Sequence, residues 1–297
     1  MRDETRGLLY GLFAVAIFSM TLPATRLVVA EVHPLIAALG RGLAAALVAG
    51  ALLAVTRTPR PDRGDWPGFA IVIGGVVLGY PIFTNVALQH VSASHGGIVV
   101  AILPLATAVA GTLRAGDRPS PGFWLAAIAG SALVVAFALW RGAGTLHLAD
   151  LALLAAVITC GFGYAEGARL ARRLGGWQVI SWALVFAAPF LVLPTAWLVA
   201  EHGVDASARA WLAFLYIALI SQFVGFFPWY KGLALGGVAR VGQVQLLQPF
   251  LTLVGSWLLL GEALDATTLA FAVAVVATVA VGRRMPVRQA GTAVSQR

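Results

Sequence analysis

The chain has 297 residues, 60% of them hydrophobic and 11% charged, against roughly 25% charged in a soluble domain. That balance excludes a water-soluble globular protein and identifies an integral membrane protein. A formal charge of +8 does not point to nucleic acid, because no basic run alternates with exposed aromatic residues as a nucleic-acid groove requires; loop arginine held at the inner membrane face accounts for it.

A membrane span takes about 20 mostly apolar residues, since a helix rises about 1.5 Å per residue across a hydrocarbon core of about 30 Å. Ten segments qualify: Gly7 to Val29, Pro34 to Thr56, Trp66 to Gln89, Ala93 to Leu113, Gly122 to Trp140, Ala149 to Arg169, Trp177 to Ala200, Arg209 to Leu233, Val238 to Leu260 and Thr267 to Val281. The expected fold class is therefore all-α, with ten transmembrane helices. The charged start, Met1 to Arg6, runs straight into a segment too long for a signal peptide's apolar region, so it is expected as a retained first span. Connections such as Arg57 to Asp65 and Glu201 to Ser207 are short and polar and leave no room for a soluble domain. Cys160 is the one cysteine; it forms no internal disulfide and carries no information about redox compartment.

Orientation follows from the basic residues. With a cytoplasmic amino terminus, Arg26, Arg41, Arg141 and Arg209 fall on the outer side and the rest of the 20 Lys and Arg on the inner. This positive-inside bias places both termini in the cytoplasm. His33, His90, His95, His147 and His202 then lie at or near the outer face, as interfacial residues or as pH sensors.

The stretch Phe83 to Asp117 returns, diverged, as Pro228 to Glu262. Gly97 falls on Gly242, Pro104 on Pro249, Thr107 on Thr252 and Gly116 on Gly261, with Asp117 and Glu262 following. Matched prolines and glycines are informative because backbone geometry selects them. Five helices per copy is an odd number, so the second copy enters the membrane from the opposite side. The expected architecture is a 5+5 inverted repeat, with units at 1–143 and 144–286 and a polar tail at 287–297. Carriers use such symmetry to present one midplane site to two compartments.

The chain resembles the EamA-type branch of the drug/metabolite transporter superfamily over nearly its whole length. Phe18 and Ser19, Leu22 and Arg26, then Pro34 and Arg41 stand where that family's opening motif has Trp-Gly, Phe, Lys, Pro and Arg. Its Asn-x-Ala-Leu pattern is Asn85, Ala87 and Leu88, its mid-helix proline is Pro104 and again Pro249, and its Gly-Glu ending is Gly261 and Glu262. Phe18, Ser19 and Arg26 depart from the motif, as does Cys160 to Gly163 in the sixth helix. In general character the chain is most similar to the YddG-type amino-acid exporters of the bacterial inner membrane. The resemblance implies a multi-pass carrier of small molecules, amino acids or related metabolites, embedded in the lipid bilayer of the inner membrane. A monomer suffices for that function, and the sequence sets no oligomeric state.

Intramembrane polar groups are expensive and mark candidate sites. Pro81, Asn85 and Gln89 recur every fourth residue on helix 3, and Gln245, Gln248, Thr252 and Ser256 form a polar stripe on helix 9, with Gln243 pointing elsewhere. Substrate binding and interhelical hydrogen bonding both fit Asn85, Gln245 and Gln248. Tyr80 and Phe83, Phe162 and Tyr164, and Phe226, Phe227, Trp229 and Tyr230 gather at matching depths. Rings and amides together suit an apolar or aromatic side chain with a polar end; Trp66, Trp140, Trp177 and Trp211 suit an interfacial belt, and Trp229 fits either place. Arg41 lies about 10 Å into helix 2. It suits a substrate carboxylate, although an arginine snorkelling outward or paired with Glu31 is the favoured reading. Helices 1, 3, 4, 6, 8 and 9 are expected around the cavity.

Glu166 is the carboxylate nearest a span's middle, and Arg169 stands three residues on as an ion-pair partner. With no buried relay in view, obligatory proton antiport is not expected. Pro23, Pro81, Pro104, Pro228 and Pro249 mark expected hinges. Gly75 with Gly79, and Gly163 with Gly167, supply faces for close helix approach. Efflux of hydrophobic drugs or toxic metabolites is the second reading. An intramembrane enzyme is the remote one, for the chain has no H-E-x-x-H and no G-x-S-x-G; neither cofactor nor metal is expected.

Overall fold

The computed structural model describes residues 3–114, 116, 118–141, 148–263, 265–283, 285 and 287–288. Arg2, Asp117, His147, Arg284, Arg297, the boundary between 143 and 144 and the tail beyond 288 lie outside the described residues.

The helices follow in order as α1 (Thr5–Val29), α2 (Pro34–Val55), α3 (Arg63–Ala87), α4 (Ala93–Arg114), α5 (Pro121–Arg141), α6 (Leu148–Leu174), α7 (Gly176–His202), α8 (Ala208–Gly236), α9 (Val238–Leu260) and α10 (Ala266–Arg283). Eight of them, all but α5 and α10, are long and apolar enough to cross a membrane among the described residues. α5 and α10 pack on one another, with Trp140 stacked on Phe271. The one strand pairing among the described residues joins Arg118–Pro119 to Val287–Arg288, which sets the connection before α5 against the residues after α10.

Two ends differ from the hydropathy pattern, and both have a polar cause. α6 continues to Leu174 because Arg173 reaches down to Asp62 and Asp65, and Gly175, at φ 94°, then ends the helix. α3 stops at Ala87 instead of Gln89, and Arg26 donates to the carbonyls of Leu88 and Gln89 there. A cation suits that place, since the last carbonyls of a helix lack intrahelical donors.

Five helices change hydrogen-bonding pattern just upstream of a proline. α1 breaks at Met20 before Pro23, and α4 breaks at Ala101–Ile102 before Pro104. α3 is π-helical over Ile73–Gly79 before Pro81, α8 over Tyr216–Val224 before Pro228, and α9 passes through a 3-10 segment, Gln243–Leu247, before Pro249. Proline lacks an N–H and crowds the carbonyl four residues back, so the preceding turn gives way. In the register that sets Phe83 on Pro228, the two π segments end on matching residues, Gly79 and Val224, and the break of α4 falls on the end of the 3-10 segment of α9.

Helices α4 and α9 run antiparallel. Glu262, just past α9, accepts from the amides of Ala93 and Ser94 at the start of α4, at 2.9 Å each, and from the Ser94 hydroxyl at 2.5 Å. At the other end Gly242, early in α9, packs on Thr107 in the second half of α4. Glycine sets the closest approaches elsewhere. A Cβ on Gly75 would lie 2.9 Å from the Gly163 Cα, and one on Gly167 would lie 2.2 Å from the Tyr230 ring, so the α3 and α6 faces expected from sequence meet each other and α8. A further contact, Gly7 against Gly232 and Gly236, joins α1 to α8.

Candidate functional site

The irregular turns of α1, α3, α8 and α9 converge on the middle of the bundle, where backbone carbonyls lose their helical donors and other helices supply new ones. Thr252 donates to the Ser19 carbonyl at 2.9 Å, the bond Pro23 cannot make, and Gln222 donates to the Val76 carbonyl at 2.9 Å beside Pro81. Tyr216 donates to the Ile17 carbonyl at 2.7 Å. A hydrocarbon environment offers no water to satisfy these groups, so side-chain donors hold the breaks in place.

Between these turns lies a small enclosed cavity of about 20 Å³, room for about one water. α1 contributes Phe18 and Thr21, α2 Arg41, α3 Val76 and Tyr80, α6 Cys160 and Tyr164, α8 Ser221, Gln222 and Phe226, and α9 Gln248. α2 thus joins the wall, while α4 lines an adjoining crevice with Gly97, Val100 and Ala101, against Gln245, Gln248 and Thr252. Thr21 and Ser221 share a hydrogen bond of 2.7 Å across the α1–α8 contact.

Arg41 dominates the site. It is 2% exposed, so it neither snorkels outward nor pairs with Glu31, whose carboxylate takes the Ser207 amide at 2.6 Å and hydroxyl at 2.8 Å at the start of α8. The physical reason is distance along the helix: the guanidinium sits a full two turns inside α2, while Glu31 caps α8 at the surface. One Arg41 nitrogen lies 3.4 Å from the Ser221 hydroxyl, and Nε and Nη1 have no partner. Among the described residues no carboxylate lines the cavity. A buried guanidinium with two unpartnered nitrogens is costly by several kcal/mol, and a carboxylate is the group that such donors bind strongly.

Beside Arg41 stands an aromatic wall. Trp229 is fully buried, not at the interface, with its ring centroid 5.0 Å from Tyr164 and 6.0 Å from Phe18; Phe226 lies 5.2 Å from Phe18. The tryptophans expected at the interface behave differently: Trp66, Trp140 and Trp211 are exposed and Trp177 is half-buried.

Of the residues expected to bind substrate, the structure brings Arg41, Tyr80, Tyr164 and Gln248 to one cavity, with Gln245 in the crevice beside it and Trp229 behind the Tyr164 ring. Both polar atoms of the buried Gln245 amide lack partners. Tyr230 is buried against Gly167 and donates to the Gly163 carbonyl at 3.3 Å, and Asn85 donates to the Pro34 carbonyl at 3.2 Å, pinning α3 to the start of α2. Gln89 is exposed in the turn after α3. The 3-10 turn of α9 also buries Gln243, which α-helical spacing sends elsewhere. Thr21, Ser221 and Gln222 are polar lining residues that sequence reasoning missed. Their signal was present, as polar residues inside apolar segments, but the π turn of α8 is what aims Ser221 and Gln222 inward.

Glu166 is fully buried and takes three donors, Arg169 Nε at 2.8 Å and Nη2 at 2.6 Å and Arg114 Nε at 3.0 Å, so it ties α6 to α4 away from the cavity. Asp150, 1% exposed, pairs with His95 at 2.7 Å, joining the first turns of α6 and α4.

The profile of the EamA-like transporter family matches residues 5–139 and again residues 147–282. The chain belongs to the EamA-like transporter family. It is 46% identical over 285 residues to the uncharacterized transporter YdeK of Bacillus subtilis (strain 168), a match covering 96% of this chain and 99% of that one. It is 26% identical over 231 residues to a Streptantibioticus cattleyicolor protein named "Probable terminal-alkyne amino-acid exporter", covering 75% of this chain and 76% of the other. A solved crystal structure shares the fold at a TM-score of 0.68 and 21% identity, covering 93% of this chain and 97% of that one. The EamA-like protein described here is accordingly a multi-pass membrane transporter of small molecules.

Proposed function

We propose that this transporter exports amino acids with apolar or aromatic side chains, and similar carboxylates, across the bacterial inner membrane by alternating access. The buried, unpaired Arg41 guanidinium carries the reading: it is the receptor for the substrate carboxylate, while Tyr80, Tyr164, Phe18 and Phe226 wall the side chain and Gln248 and Gln245 meet the amino group or bound water. A cation-selective drug exporter would not keep an uncompensated positive charge in its cavity. The name of the Streptantibioticus relative agrees with an amino-acid substrate.

The chain works as two five-helix units, 1–143 and 144–286, inverted relative to each other with both termini cytoplasmic. Two separate family matches, the antiparallel α4 and α9, and helix breaks at matching positions support that arrangement. A cavity of about 20 Å³ is too small for an amino acid, so this conformation is the closed one of the cycle, and the turns before Pro23, Pro81, Pro104, Pro228 and Pro249 are the places where it opens. Among the described residues no carboxylate lines the cavity, which supports export without obligatory proton coupling.

Transport in proteoliposomes tests the reading. Wild type is expected to move hydrophobic amino acids and to reject their methyl esters, with no strict need for a pH gradient. Arg41→Gln removes a charge-assisted bond of about 1.5–3 kcal/mol, so the apparent affinity falls roughly tenfold to a hundredfold, and Arg41→Lys recovers part of it. Cys160, the sole cysteine, reports on the same cavity, and its alkylation by a small thiol reagent is expected to slow when substrate is present. Equal transport of acid and ester, or an Arg41→Gln variant indistinguishable from wild type, overturns the carboxylate role.

A further inference from the structure

A second hollow, a groove of about 1010 Å³, opens on the outside of the bundle between the beginnings of α1 and α7 and the last turns of α8. Its chemistry is mixed. Arg6 and Lys231 are its cations, Tyr10 and Trp177 its polar-edged aromatic rings, and Leu9, Phe13, Val224 and Leu235 apolar lining. Lys231 is the only lysine in the chain. It is exposed, its Nζ sits 4.7 Å from the Tyr10 ring centroid, and among the described residues no carboxylate pairs with it. Among the described residues Arg6 has one weak partner, Asp3 at 3.9 Å, with both side chains solvated.

Arg6 to Phe13 on α1 and Lys231 to Val224 on α8 each cover seven residues, about 10 Å of helix. Each cation thus has apolar side chains further into its helix, with Lys231 beside Tyr10. Leu9 is 53% and Phe13 61% exposed. A free anion has no use for that apolar lining, a zwitterionic lipid gains no net attraction from two cations, and a peptide laid in the groove leaves backbone groups unsatisfied in hydrocarbon.

We propose that the groove binds one anionic phospholipid, its phosphate between Arg6 and Lys231 and an acyl chain along Leu9, Phe13 and Val224. Basic pockets between helices at the membrane face hold such headgroups by charge, while burial of the chain fixes the position. The occupant lies against Val224, Phe227 and Pro228, where α8 passes from π to α geometry, so it braces the part of α8 that also carries Ser221 and Gln222.

Native mass spectrometry of the detergent-purified full chain, titrated with phosphatidylglycerol and separately with phosphatidylcholine of the same acyl chains, tests this site. Wild type is expected to retain phosphatidylglycerol at concentrations where phosphatidylcholine is lost. Removing one surface cation weakens lipid attraction about fivefold, so Lys231→Gln and, independently, Arg6→Gln are each expected to shift the titration by that factor, while Lys231→Arg stays at wild type. Glycerol 3-phosphate at equal concentration leaves the lipid bound. Equal retention of the two lipids, wild-type binding by both Gln variants, or displacement of the lipid by glycerol 3-phosphate overturns the proposal.

Discussion

Helix α7 carries two prolines inside its span, Pro189 and Pro194, and remains one α-helix of 27 residues. α1 carries Pro23 and α3 carries Pro81 in mid-span, and both helices abandon α geometry in the turn before it. The prolines of α7 are exposed on the outside of the bundle, and among the described residues no side chain donates to the Val185 or Phe190 carbonyl four residues upstream. Pro23 and Pro81 are buried, and a donor from another helix waits at each freed site: Thr252 at Ser19 and Gln222 at Val76. Proline deletes one hydrogen bond in every case, and at Pro23 and Pro81 a neighbouring helix replaces it, which the outward-facing prolines of α7 do not have. The same neighbours, α8 and α9, supply Ser221, Gln222 and Gln248 to the cavity wall, so the places where the backbone yields and the cavity share side chains.

Substitutions separate the two kinds of proline. Gln222→Leu leaves the buried Val76 carbonyl unsatisfied, at about 1–3 kcal/mol, and also removes an amide from the cavity wall; the thermal unfolding midpoint in detergent and the transport rate are both expected to fall. Thr252→Val keeps the side-chain shape and strips the donor from Ser19, with a smaller loss toward the lower end of about 1–3 kcal/mol. Glu262→Gln weakens the charge at the start of α4 and is expected to cost about 0.3–1 kcal/mol, seen as a lower midpoint with transport largely kept.

A change of pH acts at the tip of α7. His33 stacks on His202 at 4.3 Å between ring centroids, and burial first, then the neighbouring His202, lower its pKa below the usual 6.5. The folded state then holds that proton less tightly than the unfolded chain, so the contribution is complete above pH 6.5 and is lost as pH falls through the lowered value. His33→Gln is expected to flatten this part of the stability profile. Pro189→Ala and Pro194→Ala return the missing N–H to the helix and are expected to hold or raise the unfolding midpoint and to leave transport intact, the smallest transport effect of all. If they impair transport as much as Pro23→Ala or Pro81→Ala, the distinction between outward and inward prolines fails.

Much of this molecule is legible in order of residues. Hydropathy fixed the helices nearly to their ends, since desolvating a backbone of this length admits little besides a helix. Gly75 and Gly163 declared their own contact, for only a missing Cβ permits so close an approach. Arg41 was visible as an intramembrane cation, but whether it reached Glu31 or the centre depends on which helix covers it. Asn85 and Gln245 looked alike as buried amides; one is committed to the Pro34 carbonyl and the other has no partner. Gln89 looked like the next member of the Asn85 face until α3 ended early.

Composition and spacing by themselves determined that the chain is a helical membrane protein, where its helices lie, and which residues interrupt them, because burial in lipid and the missing N–H of proline act on each residue locally. Only the tertiary structure decided which carbonyls find new donors, that Ser221 and Gln222 turn inward, and that Arg41 stands without a carboxylate. Those outcomes depend on what another helix places within about 3 Å of a polar atom, and residues as distant in sequence as Ser19 and Thr252 meet only when the bundle closes.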